Sequence, residues 1–329
     1  MNVNSVSQEN WKEYFKGWVI VDSIVLKEDV IVVIAREDVP PEVAELGWDS
    51  DISTRLIHVF LDSEGGCGSS EFSGFAFPKI GVCRKPALQS LLLNRNSEGQ
   101  IFAKGSGRNE MERIKPGADN ETSFFGNRLV CIDGWTYALG MVREIHKRVD
   151  IEQWQPLMNG FDQPRYEGCP SDWGFNDMDG PNENNLYAVG GKGDVWRYDG
   201  TKWHWCDFPS NQQLATVTVA PDGQVYISGD GGSLWVGKEH SWKALAKPHS
   251  TINYNDSVWF NGQLWLCSDY RLEVWDGQTL GRPIHNGETI VYSGHMDAHE
   301  NLLVVAGMSE VHAFDGENWH TLVESYSDD

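Results

Sequence analysis

One short segment recurs four times at a fixed interval in the C-terminal part of the chain, and this repeat constrains the fold more than any other feature. Each copy is a run of apolar and aromatic residues that ends on Gly or Ser, and successive copies start 39 residues apart. An aromatic residue beside a turn follows each run, as in Tyr198-Asp199-Gly200. The copies lie at residues 186–190, 225–229, 264–268 and 303–307.

A repeat unit of this length predicts a small antiparallel sheet. Turn pairs such as Asp222-Gly223 and Asn261-Gly262 precede two of the runs, and glycine supplies the positive φ that two-residue hairpin loops need. A four-stranded sheet of about 40 residues cannot bury both faces alone, so it must stack on copies of itself. A β-sandwich also has short strands, but it does not explain the fixed spacing. We therefore predict an all-β fold, a β-propeller, in which each repeat is one blade.

The repeat continues upstream and determines the predicted number of blades. Residues 90–105 align with residues 216–229. We predict seven blades of four antiparallel strands in a single domain, or six blades if residues 18–82 do not form a complete blade. The predicted segments are an N-terminal arm at 1–17, an irregular first blade at 18–85, blades two and three at 88–157, and four regular blades at 172–323.

The predicted first blade differs from the others. Apolar and β-branched residues between Trp18 and Arg36 predict its first hairpin, and residues 55–61 with 72–82 predict its second. Between the hairpins, residues 37–51 contain six acidic residues and no basic one. A short helical turn is expected at Pro41–Leu46, and no longer amphipathic helix is predicted in the chain.

The chain is strongly acidic, with 48 Asp and Glu against 26 Lys and Arg and a formal net charge of −22. Such a surface repels nucleic acids and anionic membranes, so we expect direct binding to neither. It attracts basic proteins, although solubility alone is an alternative explanation for the charge.

The sequence predicts a cytoplasmic protein. Its first ten residues contain neither a basic region nor an apolar run, so no signal peptide and no export are expected. No stretch approaches the ~18 apolar residues that a membrane span requires. The six cysteines are scattered without close pairs, which favours reduced, packed thiols. We expect a monomer when no partner is bound.

Motifs that would indicate catalysis are missing. Gly-x-Ser-x-Gly does not occur, and no helix is predicted after the Gly-rich pairs that could otherwise hold a phosphate. His295 and His299 have the spacing of a helical zinc pair, but the repeat places them on a strand and its turn. We therefore expect no catalytic residues, no metal and no cofactor. A calcium ion near Asp177 and Asp179 is an open alternative to a solvated turn.

The order of residues in the repeat resembles that of a known group of proteins. Residues 185–203 read as an apolar run, Gly-Gly, a second apolar run, Tyr-Asp-Gly, two residues and Trp. This order is similar to the repeat of bacterial kelch-like and WD-repeat-like propellers. The resemblance is good over 184–322 and absent over 1–85. It implies the fold and not a function.

Two long acidic connections are the predicted partner-binding sites. Connections that interrupt a repeat cost little stability and carry specificity. Each places a tryptophan among carboxylates, a combination suited to holding a basic surface. The alternative is that both tryptophans pack inward. The predicted contact residues are Trp48, Asp49, Asp51, Asp172, Trp173, Asp177 and Asp179.

The overall character of the chain is similar to that of a bacterial immunity protein that neutralises a type VI secretion toxin, such as a nuclease. A nuclease holds its substrate in a basic cleft, so an acidic inhibitor gains association rate and affinity. The resemblance implies a non-enzymatic, protein-binding propeller. Two alternatives are a propeller enzyme or lectin with a pocket in the central channel, and a scaffold for a larger assembly.

Overall fold

Strands dominate the fold and form small antiparallel sheets. A computed structural model of the protein describes residues 3–62, 66–95, 99–114, 124–161, 174–248, 250–324 and 326. Within these residues there are seven sheets of four strands, and the strands of each sheet are consecutive in the chain. In order, the sheets are β1 to β4 (Trp18–Lys27, Val30–Glu37, Thr54–Phe60, Gly66–Phe72); β5 to β8 (Lys79–Cys83, Gln89–Leu93, Gln100–Gly105, Arg108–Arg113); β9 to β12 (Gly126–Ile132, Trp135–Gly140, Ile145–Asp150, Gln153–Pro156); β13 to β16 (Phe175–Asn182, Asn185–Gly190, Asp194–Tyr198, Trp203–Trp205); β17 to β20 (Leu214–Val219, Val225–Gly229, Ser233–Lys238, Ser241–Ala246); β21 to β24 (Asp256–Phe260, Gln263–Ser268, Arg271–Trp275, Leu280–Gly281); and β27 to β30 (His295–His299, Leu302–Ala306, Val311–Phe314, Trp319–Val323).

These sheets, numbered one to seven along the chain, are the blades of a seven-bladed β-propeller, which confirms the predicted fold class. The strand assigned to residues 72–82 is wrong. Gly74 adopts a positive φ of 80° and its N–H donates to the carbonyl oxygen of Ser50 at 3.1 Å, so the chain turns after β4. Lys79–Cys83 is instead the first strand of the second sheet.

Besides short 3-10 turns at Asp49–Asp51 and Asp230–Gly232, two helices and one small hairpin of the described residues lie outside the seven sheets. They are helix α1 (Gln8–Tyr14), helix α2 (Pro41–Leu46) and a small hairpin of β25 (Ile284–His285) and β26 (Glu288–Thr289). The sequence predicted α2 but not α1, which Ser7 caps by accepting a hydrogen bond from the N–H of Asn10. Neither helix of the described residues has the length and apolar character that crossing a bilayer needs.

The repeated Asp-Gly pairs shape the turn between the third and fourth strands. The Oδ1 atom of Asp276 accepts hydrogen bonds from the N–H groups of Gln278 and Thr279, and these bonds hold the pKa of Asp276 below its ordinary value. Gly277 follows with a φ of 97°, a conformation that favours glycine. Asp199 and Asp315 make equivalent turns. The repeat therefore encodes a local turn geometry.

The described chain forms two compact units. The terminal unit comprises Met1–Ile80 and Phe260–Asp329, and the middle unit comprises Gly81–Trp259. In the terminal unit, buried aliphatic residues of sheets one and seven pack together with Val6 and Phe15 of the N-terminal segment. That segment also pairs with both sheets, because Asn4 donates its N–H to the carbonyl oxygen of Leu61 and Val6 donates to that of Leu322.

Aromatic residues fill the spaces between sheets of the middle unit. Trp203 is 2% exposed and stacks on Phe161, with 5.1 Å between ring centroids. Phe161 lies in the connection that precedes sheet four and also meets the ring of Trp196 at 5.1 Å. Wide rings suit these gaps because they bury a large apolar area in a flat shape.

Candidate partner-binding surface

The connection from β2 to β3 carries the first predicted tryptophan. Trp48 follows α2 and is 82% exposed. It therefore does not pack inward, and the alternative of a core residue is excluded for this position. Tryptophan is enriched among the residues that contribute most binding energy at interfaces, so this exposed indole is a candidate contact.

Asp49 holds this connection against the body of the terminal unit. The largely buried Arg36 donates from Nη1 to the Asp49 Oδ2 at 3.0 Å and from Nη2 to the Asp49 carbonyl oxygen at 2.5 Å. The same Oδ2 accepts the N–H of Phe77 at 2.6 Å. The Asp49 carboxylate is thus engaged inside the protein, and its role is to position its neighbours.

Asp51 shapes the loop around Trp48. Its Oδ2 accepts the N–H of Trp48 at 2.8 Å, and its own N–H donates to the Trp48 carbonyl oxygen at 2.8 Å. The two bonds close the short turn Asp49–Asp51. The exposed acids of residues 37–51 are Glu37, Asp38, Glu42, Glu45 and Asp51.

The structure describes only part of the second predicted connection. Asp172 and Trp173 lie outside the described residues. Asp177 and Asp179 lie on β13, the first strand of sheet four, and not in a solvated turn as expected from the sequence. Asp177 is buried, and Asp179 is partly buried.

The two carboxylates of β13 bind the first strand of the next sheet. Asp177 Oδ2 accepts the N–H of Val217 at 2.9 Å, and Asp179 Oδ2 accepts that of Val219 at 2.7 Å. Arg128 of β9 lies 3.0 Å from Asp177 Oδ1. These contacts explain the acidic pattern without a partner or a calcium ion, because the oxygen atoms already have donors within the middle unit.

Arg128 connects the first strands of three sheets. Besides Asp177 of sheet four, its Nη2 donates to Asp256 Oδ1 of sheet six at 2.7 Å, and its Nη1 donates to the carbonyl oxygen of Asn255 at 3.0 Å. One cation thus faces two buried carboxylates. Burial raises the pKa of Asp177 to about 6, although Arg128 opposes the shift.

We expect the Asp179→Asn substitution to change how stability depends on pH. Burial raises the pKa of Asp179 to about 7, so the folded state favours the protonated acid. This contribution to stability is fully present below the unfolded pKa of about 4 and is lost as pH rises through about 7. The asparagine variant should therefore gain stability relative to the wild type as pH rises from about 4 to about 7, measured by urea unfolding. Stability curves of the two proteins that stay parallel across this window would contradict the prediction.

The two histidines with zinc-pair spacing lie on one strand. His295 and His299 are at the two ends of β27, roughly 13 Å apart along an extended chain, and His299 belongs to the strand and not to the turn that the repeat predicted. His295 Nδ1 lies 3.7 Å from Asp22 Oδ1, and His299 Nε2 lies 3.7 Å from Glu300 Oε1. Across the described ranges, no group of three or more His, Cys, Asp and Glu residues is placed to hold a metal ion.

Solved structures resemble this chain in fold. The WD40 β-propeller domain of Doa1 has a TM-score of 0.60 and 11% identity, with 94% of each chain covered. YCF48 from Cyanidioschyzon merolae has a TM-score of 0.55 and 9% identity over 94% of this chain and 96% of its own. Virginiamycin B lyase from Staphylococcus aureus has a TM-score of 0.56 and 8% identity over 76% and 85%. At such low identity these similarities concern the fold alone.

A curated relative identifies the family. No family model matches the chain. Over 240 residues, however, the chain is 30% identical to the immune protein Tsi7 of Pseudomonas aeruginosa, an alignment that covers 72% of this chain and 77% of Tsi7. The fold, the acidic surface and this alignment lead to one conclusion: the chain belongs to the family of the immune protein Tsi7.

Proposed function

We propose that this protein is a cytoplasmic immunity protein, which binds and neutralises a toxin delivered by a type VI secretion system. The alignment with the immune protein Tsi7 over most of both chains carries the proposal. The protein would act by occupying the toxin and not by catalysis. We propose that it is a monomer until it meets the toxin.

The charge of the chain supports a basic toxin such as a nuclease. A net charge of −22 on 329 residues produces a strong negative field. That field accelerates encounter with a protein whose active site is positively charged to hold nucleic acid. A toxin acting on nucleic acid or nucleotides inside the cell also fits an inhibitor that works in the cytoplasm.

The surface around Trp48 supports a binding role for the β2–β3 connection. The indole is exposed, and the acids of residues 37–51 have no basic residue among them. Tryptophan is enriched at the energetic centres of interfaces. Asp49 and Asp51 would contribute by holding Trp48 in place, and Asp172 and Trp173 stay proposed contacts of the second connection.

Co-expression tests the proposal directly. The toxin encoded by the neighbouring reading frame should stop growth when produced alone, and this protein should restore growth when produced with it. The purified protein should bind an inactive variant of that toxin, and affinity should fall as salt concentration rises, because opposite charges at an interface are screened. Rescue with salt-independent binding would contradict a basic partner, and absence of rescue and of binding would contradict the immunity role.

A further inference from the structure

Four large apolar side chains that are exposed on the terminal unit share one end of its sheets. In an antiparallel sheet of four strands, the link between the second and third strands emerges at the same end as the connections to the neighbouring sheets. Four exposed residues of the terminal unit, each between 61% and 82% exposed, lie in links and connections of this kind. They define the apolar face: Trp48, Phe77, Tyr270 and Met308.

Backbone hydrogen bonds hold the loops of the apolar face next to one another. The carbonyl oxygen of Met308 accepts the N–H of Ile20 from β1 at 2.8 Å, so the link of sheet seven touches sheet one. The N–H of Gly294 donates to Ser268 at 2.7 Å, which joins the connection after sheet six to the link that carries Tyr270. The apolar residues therefore belong to one connected surface.

The opposite ends of the same strands are polar. There the described turns read Glu28-Asp29, Asn261-Gly262, Glu300-Asn301 and 315–318, which are acidic or amide-rich. Two exposed apolar residues lie near these turns, Phe60 at the end of β3 and Ile284, which lines a cavity with Asn261 and Asp276. The four residues of the apolar face lie at the other end, and solubility alone does not explain this difference, since both ends meet water. Exposed apolar surface of this extent marks interaction sites.

Phe77, a residue of the apolar face, has an unfavourable backbone conformation. It is 61% exposed and adopts a positive φ of 45°, a conformation that costs free energy for an aromatic L residue. Asp49 holds it there by accepting its N–H, and the same carboxylate is fixed by Arg36. Trp48 is the neighbour of Asp49 in the chain, so the Arg36–Asp49 pair positions both aromatic residues, Trp48 and Phe77.

We propose that the toxin docks on the apolar face of the terminal unit, with Trp48 and Phe77 as its anchors. The inference rests on the proposed function and adds which face binds. The surrounding acids determine the chemistry of the partner. Glu37, Asp38, Glu42 and Glu45 are exposed in the segment that leads to Trp48, and residues 37–51 contain no basic residue. The complementary surface is an apolar depression bordered by Lys and Arg, whose side chains also favour aromatic faces.

Three single variants test the docking face against the inactive toxin of the neighbouring reading frame. Trp48→Ala and Phe77→Ala should each weaken binding at least about tenfold. A few aromatic anchors contribute most of the binding energy of an interface, and truncation to alanine removes that contribution. The matched control is Trp205→Ala, which removes a tryptophan that is 53% exposed on β16, an outer strand of the middle unit. It should bind within about twofold of the wild type. Thermal unfolding of each variant checks that the fold is retained.

The outcomes separate the two proposals. If the wild type restores growth while both anchor variants bind like the control, the docking face is wrong and the immunity role stands. If the wild type neither binds nor restores growth, both proposals fail. Hydrogen exchange on the wild-type complex provides a second measurement that no variant can disturb. Protection should appear at 38–53 and 73–78, and protection confined to the polar turns at 276–279 and 315–318 would overturn the docking face.

Discussion

Replacing Arg148 with methionine should lower the free energy of unfolding by about 3–5 kcal/mol, since removing one member of a buried ion pair leaves the other charge without compensation. Arg148 and Glu112 are both buried, and the guanidinium binds both oxygens of that carboxylate. Arg148 also donates to Gln89 Oε1 at 2.8 Å and to Cys83 Sγ at 3.0 Å. The substitution therefore removes all four hydrogen bonds that Arg148 donates in a polar centre between sheets two and three.

Two further variants make the Arg148 experiment specific. Lys85→Met removes a cation from an exposed pair with Asp133 and should cost less than about 1 kcal/mol. The double variant Arg148→Met with Glu112→Leu replaces both charges by apolar groups and should recover much of the loss. Trp154, whose indole N–H donates to Glu112, loses its acceptor in the double variant, so recovery should be incomplete. Urea unfolding measures all three variants, and equal losses for Arg148→Met and Lys85→Met would contradict the prediction.

Trp203→Ala should lower the free energy of unfolding by about 3–5 kcal/mol through loss of buried area and creation of a cavity. The ring stacks on Phe161 and meets Tyr198 at 5.2 Å. Its Nε1 donates to the carbonyl oxygen of Leu157 at 2.8 Å, which joins sheet four to the end of sheet three. One side chain thus supplies both packing and a hydrogen bond between neighbouring sheets.

The control for Trp203 lies two residues away on the same strand. Trp205 is largely exposed, so Trp205→Ala should change stability by no more than about 0.5 kcal/mol. Trp203→Phe keeps an aromatic ring and loses the hydrogen bond, so it should give an intermediate loss. Calorimetric or urea unfolding would test the order, and a Trp203→Ala variant as stable as Trp205→Ala would show that stacking between sheets is not a main source of stability.

Equivalent repeat positions are not equally buried. Trp203 and Trp242 occupy the same place in the repeat, but Trp242 is only partly buried and donates its indole N–H to the carbonyl oxygen of Glu239 within its own turn. Because the two residues hold the same place in the repeat, the sequence alone predicts similar effects for the two substitutions. From the structure we expect a smaller loss for Trp242→Ala, because less apolar area returns to water.

The candidate surface could be predicted only in part. The sequence identified Trp48 from its place in a long acidic connection, and the structure shows the indole exposed. It missed Phe77, whose position in a short connection carries no pattern. The following Pro78 favours an extended backbone at Phe77, whereas Phe77 adopts a positive φ of 45°. No local pattern therefore indicates this conformation or the exposure of the ring.

By itself the sequence determined the fold class and the four regular blades, and it favoured seven blades over six. It could do so because a sheet of four short strands is specified locally by apolar runs and by Asp-Gly turns that recur along the chain. Only the tertiary structure decided which acids face water. Asp177 meets Val217 and Arg128, residues 40 and 49 positions away along the chain, and burial depends on such distant neighbours. The same residue type therefore forms an exposed acidic surface beside Trp48 and a buried set of hydrogen bonds on β13.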